Sequence, residues 1–338
     1  MPVGLLEADG TIDLAQFWPQ GDSDADTVKV LLSGANAFRF RPHAGAAFKV
    51  THAFNGATVR GKVSKSAIDK QGRITIRLQG IDAGELHYRP TAPTLNGKKP
   101  TAAQRTKFNA ANGNFRQHFG ETAAMKLAGF LATVGSSPVH CVVRTAVDHP
   151  GDVFDAFGRF IGNIIVTVNG KEADANLWLC EHGWAFPTFY SSMMENEIEE
   201  LIKLAAKARK NKSGIWGKVT SNLTKFDRSL VFRNHGTPNP VKDAGPVIMP
   251  KLFRRQSTFE IAKLAGMTSG HFNAYLAKEP DPCFETADFL KSGINAATPR
   301  QLDQFVTAAG KFTVGSGDVV FQEHASKVVD ANGNPAHW

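Results

Sequence analysis

The chain has 338 residues, of which 42% are hydrophobic and 21% are charged, and its 39 basic and 31 acidic residues give a formal net charge of +8. The hydrophobic share supports packed cores rather than a disordered chain, and the length predicts about two domains. The positive balance favours polyanionic partners, although net charge governs steering and solubility and does not define a site.

No targeting segment is evident in the sequence. The N-terminus lacks the basic region and the apolar stretch of a secretory signal, and no segment approaches the roughly 18 apolar residues of a membrane helix. The three cysteines, Cys141, Cys180 and Cys283, are widely spaced and form no zinc-binding pattern. We therefore expect a reduced, cytoplasmic protein without a membrane partner.

Short extended segments separated by turn residues occupy the first 80 residues. They cover residues 27–32, 38–41, 48–54, 58–63 and 73–79. A Ser-Gly-Ala-Asn turn connects the first two, and Asn55-Gly56 marks the next reversal. We predict that residues 1–45 form an extra N-terminal hairpin and that the main fold spans residues 46–218.

Helical and extended patterns alternate through the middle of the chain. A loop rich in Pro, Asn, Gly and Lys is predicted over residues 90–115. Beyond it, apolar periodicity predicts helices over 121–132, 173–182 and 195–210, and strands over 139–143 and 161–168.

The last third of the sequence predicts a separate, mostly helical region. Residues 219–245 are polar, contain two prolines and are predicted to be a linker. Short helices are predicted over 257–264, 269–278, 286–292 and 298–309. We expect a small C-terminal domain over residues 246–338, to which the sequence assigns no role.

Two short motifs carry the residue types that phosphodiester hydrolysis requires. Residues 77–85 read Arg-Leu-Gln-Gly-Ile-Asp-Ala-Gly-Glu, and residues 155–159 read Asp-Ala-Phe-Gly-Arg just before an apolar strand. Guanidinium groups neutralise phosphate oxygens. One carboxylate can hold a hard divalent cation, and another can take a proton from water.

These residues resemble the staphylococcal nuclease (SNase, thermonuclease-like) family, whose pattern is Arg-Leu-x-x-(Val/Ile)-Asp-(Thr/Ala)-Pro-Glu. Further family motifs follow in order: Gly-Glu-Thr-Ala-Ala at 120–124, Asp-Ala-Phe-Gly-Arg at 155–159, Asn-Leu-Trp-Leu at 176–179 with Gly-Trp-Ala at 183–185, and a helix from 201 that leads to Gly-Ile-Trp at 214–216. The resemblance implies an α+β fold with a five-stranded OB-type barrel and three helices.

The resemblance also implies a metal-dependent nuclease that acts on DNA or RNA. Arg77 and Arg159 would contact the scissile phosphate, and Glu85 would assist the attacking water. Asp82 would bind Ca²⁺ or another divalent cation. Gly84 stands where the family has proline and is expected to leave this loop freer to move.

One family metal ligand has no direct counterpart. The family begins its second strand with Asp-Gly-Asp-Thr, and the aligned residues 55–58 read Asn-Gly-Ala-Thr, so Ala57 cannot coordinate a cation. Residues 24–27, Asp-Ala-Asp-Thr, match the family pattern more closely. Asp26 is thus a candidate ligand if residues 22–41 replace the usual hairpin and residues 48–63 are inserted. Otherwise it belongs to an acidic turn before a solvated strand.

Nucleic-acid contacts outside the catalytic motifs are also suggested. Phe189 and Tyr190 fall where the family places aromatic rings beside a base, although core packing explains them equally well. Lys207 and Lys210 end a basic helix that can follow a phosphate backbone or simply face solvent.

Two alternatives to a nuclease remain. Loss of a ligand at Ala57 would leave a catalytically inactive SNase-like module that still binds nucleic acid or a protein. A third possibility is an interaction protein whose C-terminal part carries the function and whose barrel is a scaffold. The sequence does not indicate an oligomeric state.

Overall fold

The computed structural model describes residues 3–34, 36–233, 245–324 and 326–338. Within these ranges the strands are β1 (Gly4–Ile12), β2 (Thr27–Leu32), β3 (Phe38–Arg41), β4 (Phe48–Lys49), β5 (Thr58–Arg60), β6 (Ser64–Ser66), β7 (Arg73–Leu78), β8 (Ile81–Ala83), β9 (Val139–Val147), β10 (Phe160–Val168), β11 (Lys171–Asp174), β12 (Ala185–Pro187), β13 (Phe189–Tyr190), β14 (Pro282–Glu285), β15 (Arg300–Gln301), β16 (Val319–Phe321) and β17 (Lys327–Val329). The helices are α1 (Thr51–Phe54), α2 (Ala102–Ala111), α3 (Gly120–Ala132), α4 (Ala175–Glu181), α5 (Glu195–Lys210), α6 (Pro250–Leu264), α7 (Phe272–Leu276) and α8 (Thr286–Ser292).

Contacts divide the chain into two compact units. Unit 1 comprises Met1–Ile81, Ala124–Leu179 and Glu323–Trp338, and unit 2 comprises Asp82–Ala123 and Cys180–Gln322.

A closed five-stranded barrel lies in unit 1. Its strands are hydrogen-bonded in the order β1–β2–β7–β10–β9, and β9 pairs with β1 over the whole length of β1. β7 and β10 are parallel, whereas the other four pairs are antiparallel. The predicted α+β class with an OB-type barrel is confirmed.

Alternation of buried and exposed side chains gives each barrel strand its inner face. Every second residue of β1 is buried, and β9 follows a similar pattern, with Leu6 and Cys141 among the buried side chains. Gly10 is needed because β2 passes so near that a β-carbon there would lie 2.5 Å from the carbonyl oxygen of Leu31. Burial raises the pKa of the Cys141 thiol to about 12, so this cysteine is unreactive.

The N-terminal strands are not the added hairpin that the sequence predicted. β2 pairs with β1 and β7 as a barrel strand, whereas β3 pairs with β1 and β4. The reason is β1, a strand that the sequence did not predict. Both β2 and β3 pair with it, at different residues. The barrel therefore begins at residue 4, and residues 33–72 form an insertion between β2 and β7.

The insertion has its own small sheet and aromatic cluster. β5 pairs with β6 and also with β17 from the end of the chain. Residues 48–54, predicted as one strand, form the two-residue β4 and then α1. Five aromatic rings pack in this part of unit 1: Phe38, Phe54, Phe154, Phe160 and Trp338.

Unit 2 is built around α6. Leu252, Phe253 and Ile261 of this helix are buried in a core that also contains Phe108 of α2 and Tyr275 of α7. A four-stranded sheet in the order β13–β16–β14–β15 completes the unit. The sequence predicted only the second half of α6, because Pro250 at the first helical position was not recognised as its start.

The predicted helices of the middle region are present as α3, α4 and α5. The loop predicted over residues 90–115 contains α2, whose first turn is closed by reciprocal hydrogen bonds between Thr101 and Gln104. The helix predicted over residues 298–309 is instead β15 followed by a 3₁₀ turn, Leu302–Phe305. Within the described ranges, no helix combines the length and apolarity needed to cross a membrane.

The predicted linker is only partly covered by the structure. Residues 219–233 pack within unit 2, where Leu223 is 1% exposed and Val219 forms a parallel bridge with Val247. Residues 234–244 lie outside the described residues.

Candidate nucleic-acid site

Arg77 lies near the end of β7 and binds a carboxylate at the start of β2. The β2–β7 register sets Thr27 opposite Arg77. Nη1 of Arg77 lies 2.9 Å from Oδ2 of Asp26, and the two side chains are 10% and 8% exposed. The Leu78 N–H donates to the Asp26 carbonyl oxygen at 2.9 Å and fixes the backbone. Asp26, a predicted metal ligand, is therefore an ion-pair partner of Arg77.

Arg159 is oriented by the turn that precedes β10. Oδ1 of Asp155 accepts hydrogen bonds from the backbone N–H groups of Phe157 and Arg159, each at 2.9 Å. Oδ2 of Asp155 accepts from Nε of Arg159 at 2.8 Å and lies 2.7 Å from Nη2. Gly158 permits the reversal with a φ of +69°. The aspartate thus fixes the direction of the guanidinium group.

The two arginines converge on the first residues of β2. Nη1 of Arg159 lies 3.5 Å from Oγ1 of Thr27, the residue that follows Asp26. The parallel pairing of β7 with β10 brings them together, since Ile161 stands opposite Arg77. Two planar guanidinium groups at one end of a barrel are an arrangement suited to a phosphate group.

Lys65 of β6 is a third cation beside Arg159. A β-carbon at Gly158 would lie 2.9 Å from Cε of Lys65, which shows how closely the lysine side chain covers the turn. Burial lowers the pKa of the Lys65 ammonium group; Asp155 acts against this change and Arg159 adds to it. This end of unit 1 therefore includes the cations Arg77, Arg159 and Lys65 and the carboxylates Asp26 and Asp155.

In unit 2, the acids Asp82 and Glu85 both bind Arg254 of α6. The Asp82 side chain is 0% exposed. Arg254 donates from Nη1 to Oδ1 of Asp82 at 3.3 Å and from Nη2 to Oδ2 at 3.2 Å. Nη1 also forms an ion pair with Oε1 of Glu85. One guanidinium group thus bridges the two carboxylates to which the resemblance assigns metal binding and catalysis.

These ion pairs keep Arg254 charged. Burial acts to lower the pKa of Arg254, but the negative charges of Asp82 and Glu85 outweigh it, and the pKa lies well above its usual value. The contact therefore does not open by deprotonation of the guanidinium group at any pH at which proteins commonly fold.

The backbone around Glu85 is held by Gln117. Oε1 of Gln117 accepts from the Glu85 N–H at 3.1 Å, and the Gln117 N–H donates to the Glu85 carbonyl oxygen at 2.8 Å. Gly84 is closely packed, since a β-carbon there would lie 3.2 Å from the Gly120 nitrogen. The expectation of a freer loop at Gly84 is not met, because these contacts restrain it.

The sequence that connects these clusters matches a known family. Residues 75–218 match the family model described as Staphylococcal nuclease homologue. No curated protein matches the chain. We refer to residues 75–218 as the SNase-like segment. It supports a nuclease or a nucleic-acid-binding module, and the family is generally calcium-dependent.

The SNase-like segment includes both arginines and both acids but begins within β7. It contains Arg77, Asp82, Glu85 and Arg159, whereas Asp26 and the first two barrel strands precede it. The match to the family therefore says nothing of Asp26, whose place is given by the pairing of β2 with β7.

The predicted aromatic pair of the SNase-like segment is largely buried. Phe189 is 0% exposed, which leaves no ring face for a base and favours the packing alternative. Tyr190 is partly buried; its ring centre lies 6.0 Å from that of Phe321 and 5.9 Å from Nζ of Lys251. Tyr190 already has a cation over its ring.

The predicted basic residues of α5 are exposed. Nζ of Lys207 donates to Oε1 of Glu181 at 2.7 Å, with a lysine side chain that is 62% exposed. Lys210 lies in the last turn, where a cation also stabilises the helix dipole.

A calcium ion does not fit the acid pair as it is arranged. Calcium takes six to eight oxygen ligands, and the two carboxylates of this pair are already bound by the Arg254 guanidinium group. Among the residues that the structure describes, no group of three or more His, Cys, Asp or Glu is placed to hold a metal ion. We therefore assign no step to a metal.

Three residues of these clusters lie outside the sequence motifs: Lys65, Gln117 and Arg254. Arg254 follows Glu85 by 169 positions, so no local spacing links them. The available signal was the Pro250 helix start, which would have extended the predicted helix over the consecutive arginines at 254 and 255. No sequence pattern indicated Lys65 or Gln117.

Proposed function

We propose that this chain binds nucleic acid, and that Arg77 and Arg159 of the barrel hold a phosphodiester group. The observation that carries this proposal is their convergence on Asp26 and Thr27 at one end of β2. Arginine offers five N–H donors in a planar fork, and Asp155 binds Nε and Nη2 of Arg159, so further donors of the Arg159 guanidinium can face phosphate oxygens. The net charge of +8 favours the encounter with a polyanion.

Of the two arginines, Arg159 has the side chain that is more exposed to solvent. Its side chain is 29% exposed, and the partner Asp155 is 10% exposed. A phosphate group that approaches Arg159 meets a guanidinium whose orientation is already set, which lowers the entropic cost of binding.

Hydrolysis is the second candidate function, and the position of Asp26 favours it. Aligned by strand pattern alone, the sequence has Ala57 where the family has the metal-binding aspartate of its second strand. Ala57 belongs to the insertion, whereas Asp26 immediately precedes barrel strand β2. For this candidate, the resemblance assigns assistance of the attacking water to Glu85 and stabilisation of phosphate charge to Arg77. The enzyme would be a nuclease of DNA or RNA.

A binding experiment tests the first candidate. Fluorescence anisotropy with a labelled single-stranded oligonucleotide, at several salt concentrations, gives both Kd and its salt dependence. Arg159→Gln should weaken binding about tenfold and reduce the salt slope by about 0.7 for one lost phosphate contact. The matched control is Arg73→Gln, because Arg73 lies on β7 and binds Asp69 with the same i,i+4 spacing.

Equal losses in the two variants would contradict the proposed phosphate contact. Absence of binding by the wild-type chain at low salt would instead favour the scaffold alternative. Hydrolysis is measured separately by incubating the same oligonucleotide with calcium or with a chelator. Cleavage that Glu85→Gln abolishes while anisotropy is retained would establish the second candidate.

A further inference from the structure

The insertion between β2 and β7 packs against the turn that carries Arg159. In the loop between β5 and β6, the backbone N–H of Lys62 donates to the Ala156 carbonyl oxygen at 2.7 Å. Gly61 allows this approach, because a β-carbon there would clash with the same carbonyl oxygen. Lys65 on β6 covers the other part of the turn, at Gly158. The hairpin of β5 and β6 therefore brings two lysines to the turn, although both precede the SNase-like segment in sequence.

The turn exposes an aromatic ring that has cations from both segments near it. Phe157 is 48% exposed. Nζ of Lys62 lies 5.5 Å from the centre of the Phe157 ring, and Cζ of Arg159 lies 5.8 Å from it. Contacts of this kind are weak at exposed sites, and they leave the three N–H donors of an ammonium group available to a ligand.

The cations at this turn differ in how far they are already paired. Asp155 accepts from Nε of Arg159 and binds its Nη2. Among the residues that the structure describes, no carboxylate lies within ion-pair distance of Nζ of Lys62. Burial lowers the pKa of the Lys65 ammonium group, Asp155 acts against this change, and the repulsion from Arg159 adds to it. An anion between these side chains would relieve that repulsion.

We propose that the insertion adds a second phosphate contact, made by Lys62 and Lys65 beside the phosphate at Arg159. The inference rests on the proposed function and defines the ligand more closely, as a nucleic-acid strand that carries at least two phosphates. A lysine binds phosphate as a point charge on a flexible stem, so it tolerates the variable spacing of phosphates in a single strand.

Fluorescence anisotropy of the full chain with a labelled single-stranded oligonucleotide, at several salt concentrations, tests this contact. The double variant Lys62→Gln/Lys65→Gln should raise Kd about tenfold and reduce the salt slope by about 0.7, as expected for one lost phosphate contact. Lys62→Arg keeps the charge and should bind about as tightly as wild type.

The matched control removes the same charge from other parts of the insertion. Lys49 lies on β4 and Lys70 lies in the turn before β7, and both side chains are exposed. Lys49→Gln/Lys70→Gln should change Kd by less than about twofold near physiological salt, because exposed charges are screened there. Equal losses in the two double variants would show that only net charge matters, and would overturn the proposal.

The same titrations separate this contact from the proposed function. If Arg159→Gln weakens binding but Lys62→Gln/Lys65→Gln does not, the second contact is wrong and the first stands. If the wild-type chain does not bind the oligonucleotide at low salt, both are wrong. Circular dichroism shows whether each variant is folded. If the double variant does not fold, Lys62→Gln alone replaces it, since this side chain is exposed. An unchanged Kd in folded Lys62→Gln would then overturn the proposal.

Discussion

Two turns in unit 1 have the same sequence pattern and the same hydrogen bonds, but they end in arginines with different surroundings. Residues 69–73 and 155–159 both read Asp-x-x-Gly-Arg. In each, Oδ1 of the aspartate accepts from two backbone N–H groups and Oδ2 accepts from Nε of the arginine. The glycines have φ values of +77° and +69°.

The packing around the two turns differs. Asp69 and Arg73 have side chains that are 40% and 36% exposed, and Arg73 also donates to the exposed Gln71. Asp155, in contrast, has a side chain that is only 10% exposed, and its carbonyl oxygen accepts from the Ser326 hydroxyl. Arg159 reaches Thr27 of the barrel.

The comparison separates local geometry from function. An Asp-x-x-Gly-Arg turn fixes an arginine wherever it occurs, because the aspartate satisfies the turn backbone and the guanidinium group together. The motif at residues 155–159 is therefore informative because of its position beside β7. The five-residue pattern alone would not distinguish it from the turn at residues 69–73. The same substitution made at both turns measures how much the surroundings of each turn contribute to stability and binding.

The largest expected difference follows removal of each aspartate. Asp155→Ala should lower the free energy of unfolding by about 3 kcal/mol, because a buried acceptor of four N–H groups is lost and Arg159 keeps a charge without this partner. Asp69→Ala should cost less than about 1 kcal/mol, as for exposed ion pairs. Urea unfolding of both variants provides the values, and equal losses would contradict the assigned role of burial.

Much of the barrel could be predicted from sequence because its strands alternate and its turns contain glycine. β7, β9 and β10 followed from periodicity, and α3, α4 and α5 from helical spacing. β1 was missed because glycine and acidic residues interrupt its apolar positions, although long-range pairing with β9 stabilises it. Tertiary contacts of this kind leave no local signal.

The chain order of the barrel could not be read from the same patterns. The Asn55-Gly56 turn resembled the family's first hairpin, and that placed Ala57 at the ligand position. Strand pairing instead puts Thr27 opposite Arg77, so Asp26 directly precedes the strand that pairs with β7. Residues 24–27 lead into barrel strand β2, but the insertion between β2 and β7 obscures this order along the sequence.

The candidate residues divide in the same way. Arg77, Asp82, Glu85 and Arg159 are predicted from the sequence because they lie in short motifs with a chemical meaning. Arg254 was not found, because its partners are more than 160 positions away along the chain. A charge that compensates a distant carboxylate is a property of the folded chain, and the sequence alone does not report it.

A smaller difference is expected when the turn glycines are replaced. Both Gly72→Ala and Gly158→Ala force an L-residue into the left-handed region, which costs about 1–2 kcal/mol. Gly158→Ala should cost more, because its β-carbon would lie 2.9 Å from Cε of Lys65, whereas the nearest atom at Gly72 is 3.8 Å away.

The measurement is again the free energy of unfolding in urea. Oligonucleotide binding should also weaken in Gly158→Ala alone, since displacement of Lys65 disturbs the surroundings of Arg159. A weaker complex in Gly72→Ala would show that strain in the turn, and not its position, affects binding.

The smallest expected effect is the acid sensitivity of the exposed turn. Partial burial acts to raise the pKa of Asp69, but hydrogen bonds from Arg73 and Gln71 outweigh it, and the pKa is lowered. A carboxyl group whose pKa is lower in the folded state stabilises the protein above the unfolded value of about 3.9 and loses this contribution as pH falls through the folded value. Asp69→Asn should therefore be slightly less stable than wild type at neutral pH, and the gap should close below about pH 4 in urea titrations. A gap that stays constant down to the acid transition would show that the carboxylate charge of Asp69 contributes nothing, and that the gap comes only from the hydrogen bond that the asparagine NH2 group cannot accept.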